Sequence, residues 1–142
     1  MAYISADDVK AIRTELKAAF PKWKFSVRKG SGSLSVDVNI LQGTVDFIED
    51  YCAKGVDERE AGYARKNRNI QINQYWIKDH WGHAPKSCAA LIKINEIMHN
   101  APGRAGGKKF YDNSDAMTDY FDVGWYVDVN IGQWNRPYAL EK

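Results

Sequence analysis

The side chains best suited to chemistry lie around one histidine-containing segment. His80 and His83 are close together in the chain, Cys88 follows them, and His99 lies farther along. Imidazole and thiolate groups are ligands that zinc prefers, and a thiol beside an imidazole can act as a nucleophile. The spacing is not that of a known zinc module, and the sequence shows no third group that would orient the thiol. A small metal- or thiol-dependent enzyme is one alternative reading of the chain.

A second candidate is a set of acids, Asp112, Asp115, Asp119 and Asp122, whose spacing would line one face of a continuous helix. Such a face could hold a divalent ion, but a helix start with acids near its positive end explains the same residues. The chain has no phosphate-binding glycine loop, no nucleophile elbow, no His-Glu-x-x-His motif and no Cys-x-x-Cys motif. We therefore expect no enzyme, no catalytic residue, no resident metal and no cofactor.

Basic side chains alternate with aromatic ones, which is typical of surfaces that hold phosphates and stack on bases. The balance of charge weakens this reading, because 20 Lys and Arg face 18 Asp and Glu for a net charge of +2. That balance excludes an acidic DNA mimic and a strongly basic coat protein. A nucleic-acid-binding accessory module is thus the second alternative. Its contact residues would be Lys22, Lys24, Arg28, Lys29, Lys66, Arg104, Lys108 and Lys109.

The aromatic content points to a protein partner. Aromatic residues make up 13% of the chain, including five Trp and eight Tyr. Trp, Tyr and Arg supply most of the binding energy at protein interfaces. We assign Trp23, Phe25, Trp125 and Tyr126 to the core because they fall on predicted strands. The residues predicted to bind a partner are Tyr63, Arg65, Arg68, Trp76, His80, Trp81, Trp134 and Arg136.

Hydrophobic periodicity predicts three helices that would position these side chains. The first covers residues 6–20, begins at a capping box formed by Ser5 and Asp8, and ends at Pro21. The second begins near Gly43, and its apolar pattern ends at Gly55. The third begins at Pro85. Residues 57–69 carry many charges without an apolar pattern and are predicted to form a mobile loop. Residues 101–107 are predicted to form a glycine-rich loop.

Alternating apolar and polar residues predict strands near 23–29, 34–41, 69–77, 108–111 and 120–131. The phrase VDVNI occurs twice, at 36–40 and 127–131, each time after a helix and a Lys-Phe segment. A duplicated helix-strand-strand unit is one explanation, and the common occurrence of such phrases in half-buried strands is the other. We expect one α+β domain over residues 1–142, with a mainly antiparallel sheet of four to five strands covered by three helices.

The chain also resembles a known family. The segments AIRTELKAAFP at 11–21, KFSVR at 24–28 and SLSVDV at 33–38 are similar to the large polyvalent protein-associated domain of type twenty-nine. The resemblance covers residues 1–55. The stretch DYFDVGWY at 119–126, with NIGQW and RPY after it, is similar to the C-terminal part of stand-alone phage relatives, and residues 57–107 align with nothing.

This resemblance implies a setting rather than a reaction. Such domains occur in phage, plasmid and other mobile-element proteins that are thought to counter host defences, and the family provides no catalytic residues. The resemblance therefore implies an accessory protein that binds and inhibits a host restriction, CRISPR or other immune complex without catalysis. The two cysteines and the lack of a long apolar run or a leader-like start favour a cytoplasmic protein, in the host cytoplasm, that does not contact a membrane.

Overall fold

The computed structural model describes residues 2–113, 123–133 and 135–140. Five helices are present in this part: α1 (Ala6–Ala19), α2 (Phe47–Ala53), α3 (Glu58–Asn67), α4 (Ile77–Trp81) and α5 (Pro85–Arg104). The strands are β1 (Lys24–Lys29), β2 (Ser35–Gly43), β3 (Ile70–Ile72), β4 (Tyr126–Ile131) and β5 (Ala139–Leu140), and a short 3-10 turn (Ser31–Ser33) joins β1 to β2. The α+β class predicted from the sequence is confirmed.

The strands form one mixed sheet in the order β1-β2-β4-β3, and β5 pairs with the end of β2. The outer pairs are antiparallel, as expected, whereas β2 and β4 run parallel in the centre. The two VDVNI phrases are direct neighbours there, with Val36 opposite Val127, Asp37 opposite Asp128 and Asn39 opposite Asn130. The repeat thus gives two central strands the same inward and outward faces.

One face of the sheet carries the core. Val36, Val38 and Ile40 of β2 are buried, as are the aligned Val127, Val129 and Ile131 of β4. Helices α1 and α5 pack on each other and supply buried residues such as Leu16 and Leu91 to the same core. Because side chains alternate along a strand, Asp37, Asn39, Asp128 and Asn130 lie on the other face of the sheet.

The helix boundaries follow from local chemistry. At the start of α1, the Ser5 hydroxyl accepts a hydrogen bond from the Asp8 amide, and the Asp8 carboxylate accepts one from the Ser5 amide, so the predicted capping box is present. Helix α5 begins with Pro85 at its first position, where a missing N–H costs nothing. It continues through Pro102 to Arg104, so the loop predicted at 101–107 is confined to the turn that follows.

The loop predicted at 57–69 is wrong, because this segment contains helix α3. Asp57 caps the helix by accepting a hydrogen bond from the Glu60 amide, and Arg68 ends it in the left-handed region with φ 49°. Only Ala61 and Ala64 are buried, so α3 lacks the broad apolar stripe from which helices are recognised. Acids in its first turn and bases in its last complement the helix dipole and support a helix whose surface is mostly polar.

Three strand predictions also need correction. Strand β3 covers only Ile70–Ile72, since the chain then turns into α4. Residues 108–111 form no strand ladder, although the next residue, Asp112, makes an isolated antiparallel bridge to Val123. Strand β4 begins at Tyr126, and residues 120–122 of the predicted strand lie outside the described residues.

Candidate functional site

The strand register places exposed aromatic side chains at one end of the sheet. Tyr126 begins β4 and its amide donates to the Leu34 carbonyl at 2.9 Å, just before β2 begins. Tyr126 is 43% exposed, which corrects its assignment to the core. The physical reason is strand alternation: the preceding Trp125 is buried and donates through its indole N–H to the Met98 carbonyl, so Tyr126 must point the other way.

Tyr75 and Trp76 reach the same end of the sheet from the turn after β3. The Gln74 side-chain amide donates to the Val127 carbonyl at 3.2 Å, which fixes this turn beside the start of β4. The Tyr75 amide donates to the Asn73 side chain at 3.1 Å, a turn stabilised from within. Tyr75 is 75% exposed and Trp76 is 54% exposed. Two large aromatic side chains are therefore exposed to solvent on a turn that hydrogen bonds hold in place.

Tyr3 completes the group from the N-terminal segment. Its amide donates to the Gly124 carbonyl at 2.9 Å, which ties the segment to the residues preceding β4. The Lys108 ammonium donates to the carbonyls of Tyr3 and Gly124 at 3.0 and 2.9 Å and lies 6.0 Å from the Tyr3 ring centroid. We call this exposed set the aromatic end; it consists of Tyr3, Leu34, Tyr75, Trp76 and Tyr126.

A pair of acids lies next to the aromatic end on the face of the sheet opposite the core. Asp37 and Asp128 are aligned on the two central strands. Burial, followed by the hydrogen bond to Asp128 and the charge of Asp128, raises the pKa of Asp37 from 3.8 to about 6. Asp128 also lines a polar hollow of about 450 Å³ with Gln71, Asn73 and Tyr75. The aromatic end thus adjoins a carboxyl group, that of Asp37, whose pKa is raised to about 6.

The residues predicted to bind a partner do not form one surface. Trp76 belongs to the aromatic end, whereas Tyr63 and Arg65 are exposed on α3, where Arg65 pairs with Glu49 at 2.9 Å. His80 is half-buried on α4 and Arg136 is exposed near the C-terminus. Trp134 lies outside the described residues.

Two of these predicted contacts have structural roles instead. Trp81 is 3% exposed, because α4 turns its indole into the core against the rings of Phe47 and Tyr51. Arg68 is half-buried, and its Nε donates to the Tyr138 carbonyl at 2.7 Å, so it anchors the C-terminal segment. A short helix gave no periodicity from which the burial of Trp81 could be predicted.

The basic residues predicted to contact nucleic acid are also dispersed. Arg104 is held by Glu15 and Glu96, and Lys108 is held by backbone carbonyls. Lys66 is on α3, which packs against α2, whereas β1 is an edge strand of the sheet. The exposed members at or near β1 are Lys22, Lys24, Arg28 and Lys29, and Lys109 is exposed after α5. The eight residues therefore do not define a single surface.

Two of the histidines among the metal and thiol candidates contact backbone carbonyls. The His83 ring contacts the Asp50 carbonyl at 2.7 Å, and His99 contacts the Asn95 carbonyl at 2.7 Å. The Ser87 hydroxyl, adjacent to Cys88, donates to the Asp50 carboxylate and is fully buried. Within the residues that the structure describes, no group of three or more His, Cys, Asp or Glu is arranged to hold a metal. Of the acidic set, only Asp112 is described, so a site there lies outside these residues.

Comparison with known proteins identifies the family of the chain. The model of large polyvalent protein associated domain 29 matches residues 4–99, so the family region extends well beyond the residue 55 expected from the sequence and includes α2 to α4 and most of α5. No curated protein and no solved structure matches the chain. None of the described helices is long and apolar enough to cross a bilayer. The chain belongs to the family of large polyvalent protein associated domain 29 and is a phage or mobile-element associated protein.

Proposed function

We propose that this protein binds a host defence complex and inhibits it without catalysis, and that the aromatic end is the surface that contacts the complex. The family supports the setting, since it is associated with phages and mobile elements. The aromatic end is the observation that carries the proposal. Its five large side chains are 43–75% exposed, and a group of exposed hydrophobic side chains is typical of an interaction surface.

The composition of the aromatic end favours a protein partner. Tyr and Trp combine a large apolar area with a polar group and lose little side-chain entropy on binding, which is why they dominate interface hot spots. Tyr3, Tyr75 and Tyr126 come from three distant parts of the chain but are fixed by backbone or side-chain hydrogen bonds. A surface that is already ordered loses less entropy when it binds.

The proposed function is tested by measuring relief of host defence. Host strains that each carry one restriction, CRISPR or other immune system would express the protein and be challenged with a sensitive phage. We expect the plating efficiency to rise with at least one system. The Tyr75→Ala, Trp76→Ala variant should lose that relief by tenfold or more, because removing one interface hot spot typically costs about 2 kcal/mol or more.

The matched control is Tyr63→Ala with Ile92→Ala, which removes two exposed hydrophobic side chains outside the aromatic end. It should keep full relief, and thermal melting should show that both variants are folded. The proposed function is wrong if no system is relieved. The assignment to the aromatic end is wrong if the Tyr75, Trp76 variant relieves defence as well as the parent or if the control loses relief equally.

A further inference from the structure

A second surface lies at the opposite end of β2 from the aromatic end. It is a cleft of about 350 Å³ where the end of α1, the turn at Pro21 and the start of β1 meet. The cationic side chains that line it are Arg13 and Lys17 of α1, Lys24 of β1 and Arg136 near the C-terminus. We call it the basic cleft. Its volume is in the range of ligand-binding clefts.

The charges of the basic cleft are unbalanced. No carboxylate lines the cleft among the described residues, and Lys17, Lys24 and Arg136 form no ion pair within that part of the chain. Outside the cleft, the described ion pairs join Arg65 to Glu49, Lys93 to Glu96, and Arg104 to both Glu15 and Glu96. Bringing like charges together without counter-charges raises the local potential and attracts anions.

The floor of the basic cleft is aromatic. The rings of Trp23 and Phe25 are stacked with centroids 6.0 Å apart and an interplanar angle of 26°. The Trp23 indole N–H donates to the Thr44 hydroxyl at 3.1 Å, and the centroids of the Phe20 and Trp23 rings are 4.5 Å apart. Both Trp23 and Phe25 are half-buried, so each is fixed and still partly accessible. Fixed aromatic rings of this kind provide stacking surfaces for planar groups.

Cations continue from the cleft along α1. Lys10, Arg13 and Lys17 are spaced three and four residues apart, which places them on one stripe of the helix over about 10 Å. A second hollow along this stripe shares Arg13, Lys17 and Pro21 with the cleft and reaches Lys10, and one carboxylate, Asp7, lines its far end. Arg13 is held in place because its guanidinium donates to the Val27 carbonyl at 2.7 Å. The cations therefore form a track that leads to the aromatic floor.

We propose that the basic cleft binds single-stranded nucleic acid, with phosphates along the track and a base on Trp23 and Phe25. A single strand is favoured over a duplex, because the bases of a duplex are stacked on each other and cannot reach the floor of a cleft. Of the residues predicted from the sequence to contact nucleic acid, only Lys24 lines this cleft. Arg13, Lys17 and Arg136 come to it from elsewhere in the chain.

The test is fluorescence anisotropy with a labelled oligothymidylate, and an unlabelled duplex and polyglutamate serve as competitors. With about four phosphate contacts, the logarithm of the binding constant should fall with a slope of about −3 per tenfold increase in salt. The variant Lys17→Gln, Lys24→Gln, Arg136→Gln should bind at least tenfold more weakly in low salt and with a slope shallower by about two. The corresponding single variants should each show part of the loss.

The control Lys66→Gln, Lys78→Gln, Lys86→Gln changes the net charge equally at exposed residues outside the cleft. It should bind like the parent. The absence of binding at low salt, or equal losses of affinity in the two triple variants, would overturn the proposal. So would a duplex that competes as well as the single strand, or polyglutamate that competes better than the single strand. Because the cleft variant leaves the aromatic end intact, it should still relieve host defence, so failure here is distinct from failure of the proposed function.

Discussion

Two aligned aspartates next to the aromatic end show how single residues determine the charge of a surface. Asp37 and Asp128 are brought together because their strands are parallel and in register. Burial and the neighbouring acid raise the pKa of Asp37 to about 6. Its proton is therefore bound more tightly in the folded protein than in the unfolded chain. The opposing residue on β1 is Arg28, which is exposed to solvent.

The raised pKa of Asp37 predicts how the stability of the protein changes with pH. The contribution of Asp37 to the free energy of unfolding is fully present below pH 3.8 and is lost as the pH rises through about 6. The Asp37→Asn variant keeps the shape and removes the charge, so it should be more stable than the parent above pH 7 by about 1 kcal/mol, allowing for screening by solvent. Urea unfolding from pH 4 to 8 measures the difference. A parent and variant with the same pH dependence would contradict the role of Asp37.

At the scale of elements, helix α3 depends on its ends rather than on burial. It contributes only two buried alanines, packs against α2, and exposes Tyr63. One of its first-turn amides, that of Glu60, donates to the Asp57 carboxylate at 2.8 Å. A helix of this kind should open locally at a lower free energy than α5, which carries eight buried residues.

The Asp57→Ala variant should therefore cost about 1 kcal/mol, the usual effect of losing an N-terminal cap. The loss should be confined to α3, since few core contacts depend on that helix. Hydrogen exchange would show faster exchange in residues 58–67 with little change in α5. The neighbouring substitution Glu58→Ala, which leaves the cap intact, should have a smaller effect. Equal protection of α3 in both variants would show that packing, not the cap, sustains it.

The strongly periodic elements were predictable from the sequence, and those with little apolar surface were not. Helix α1 follows its apolar spacing and its capping box, and β2 follows the alternation of apolar and polar residues from Leu34 to Ile40. Helix α3 has no apolar stripe, although Asp57 followed by Glu60 at capping-box spacing is a signal that could have indicated it. The parallel pairing of β2 with β4 depends on contacts far apart in the chain, which local patterns do not encode.

Most of the aromatic end could not be predicted for the same reason, because it depends on contacts between residues far apart in the chain. Trp76 was predicted to be exposed and is 54% exposed, but the exposure of Tyr3, Leu34, Tyr75 and Tyr126 was not predicted. Their shared feature is position at one end of the sheet, and that position follows from strand register. An Asn-x-Tyr-Trp turn after β3 and a Tyr that alternates with buried residues in β4 are the weak local signals available.

At the scale of the whole molecule, the two proposed surfaces are separated by the length of β2. The aromatic end includes Leu34, just before the strand, and the basic cleft reaches Leu41 near the other end of the strand. The nine residues of β2 span about 30 Å. Separate surfaces of this kind allow one molecule to hold a protein and a nucleic-acid strand at once, and each surface can be altered without touching the other.

The most direct test of binding and inhibition without catalysis is a titration of purified protein into a purified defence complex that it relieves in cells. We expect activity to fall in proportion to the amount added and to reach its minimum at a fixed ratio near one protein per binding site. The Tyr75→Ala, Trp76→Ala variant should need at least tenfold more protein for the same inhibition. Complete inactivation by a small fraction of one equivalent, increasing with time, would show turnover and contradict the account.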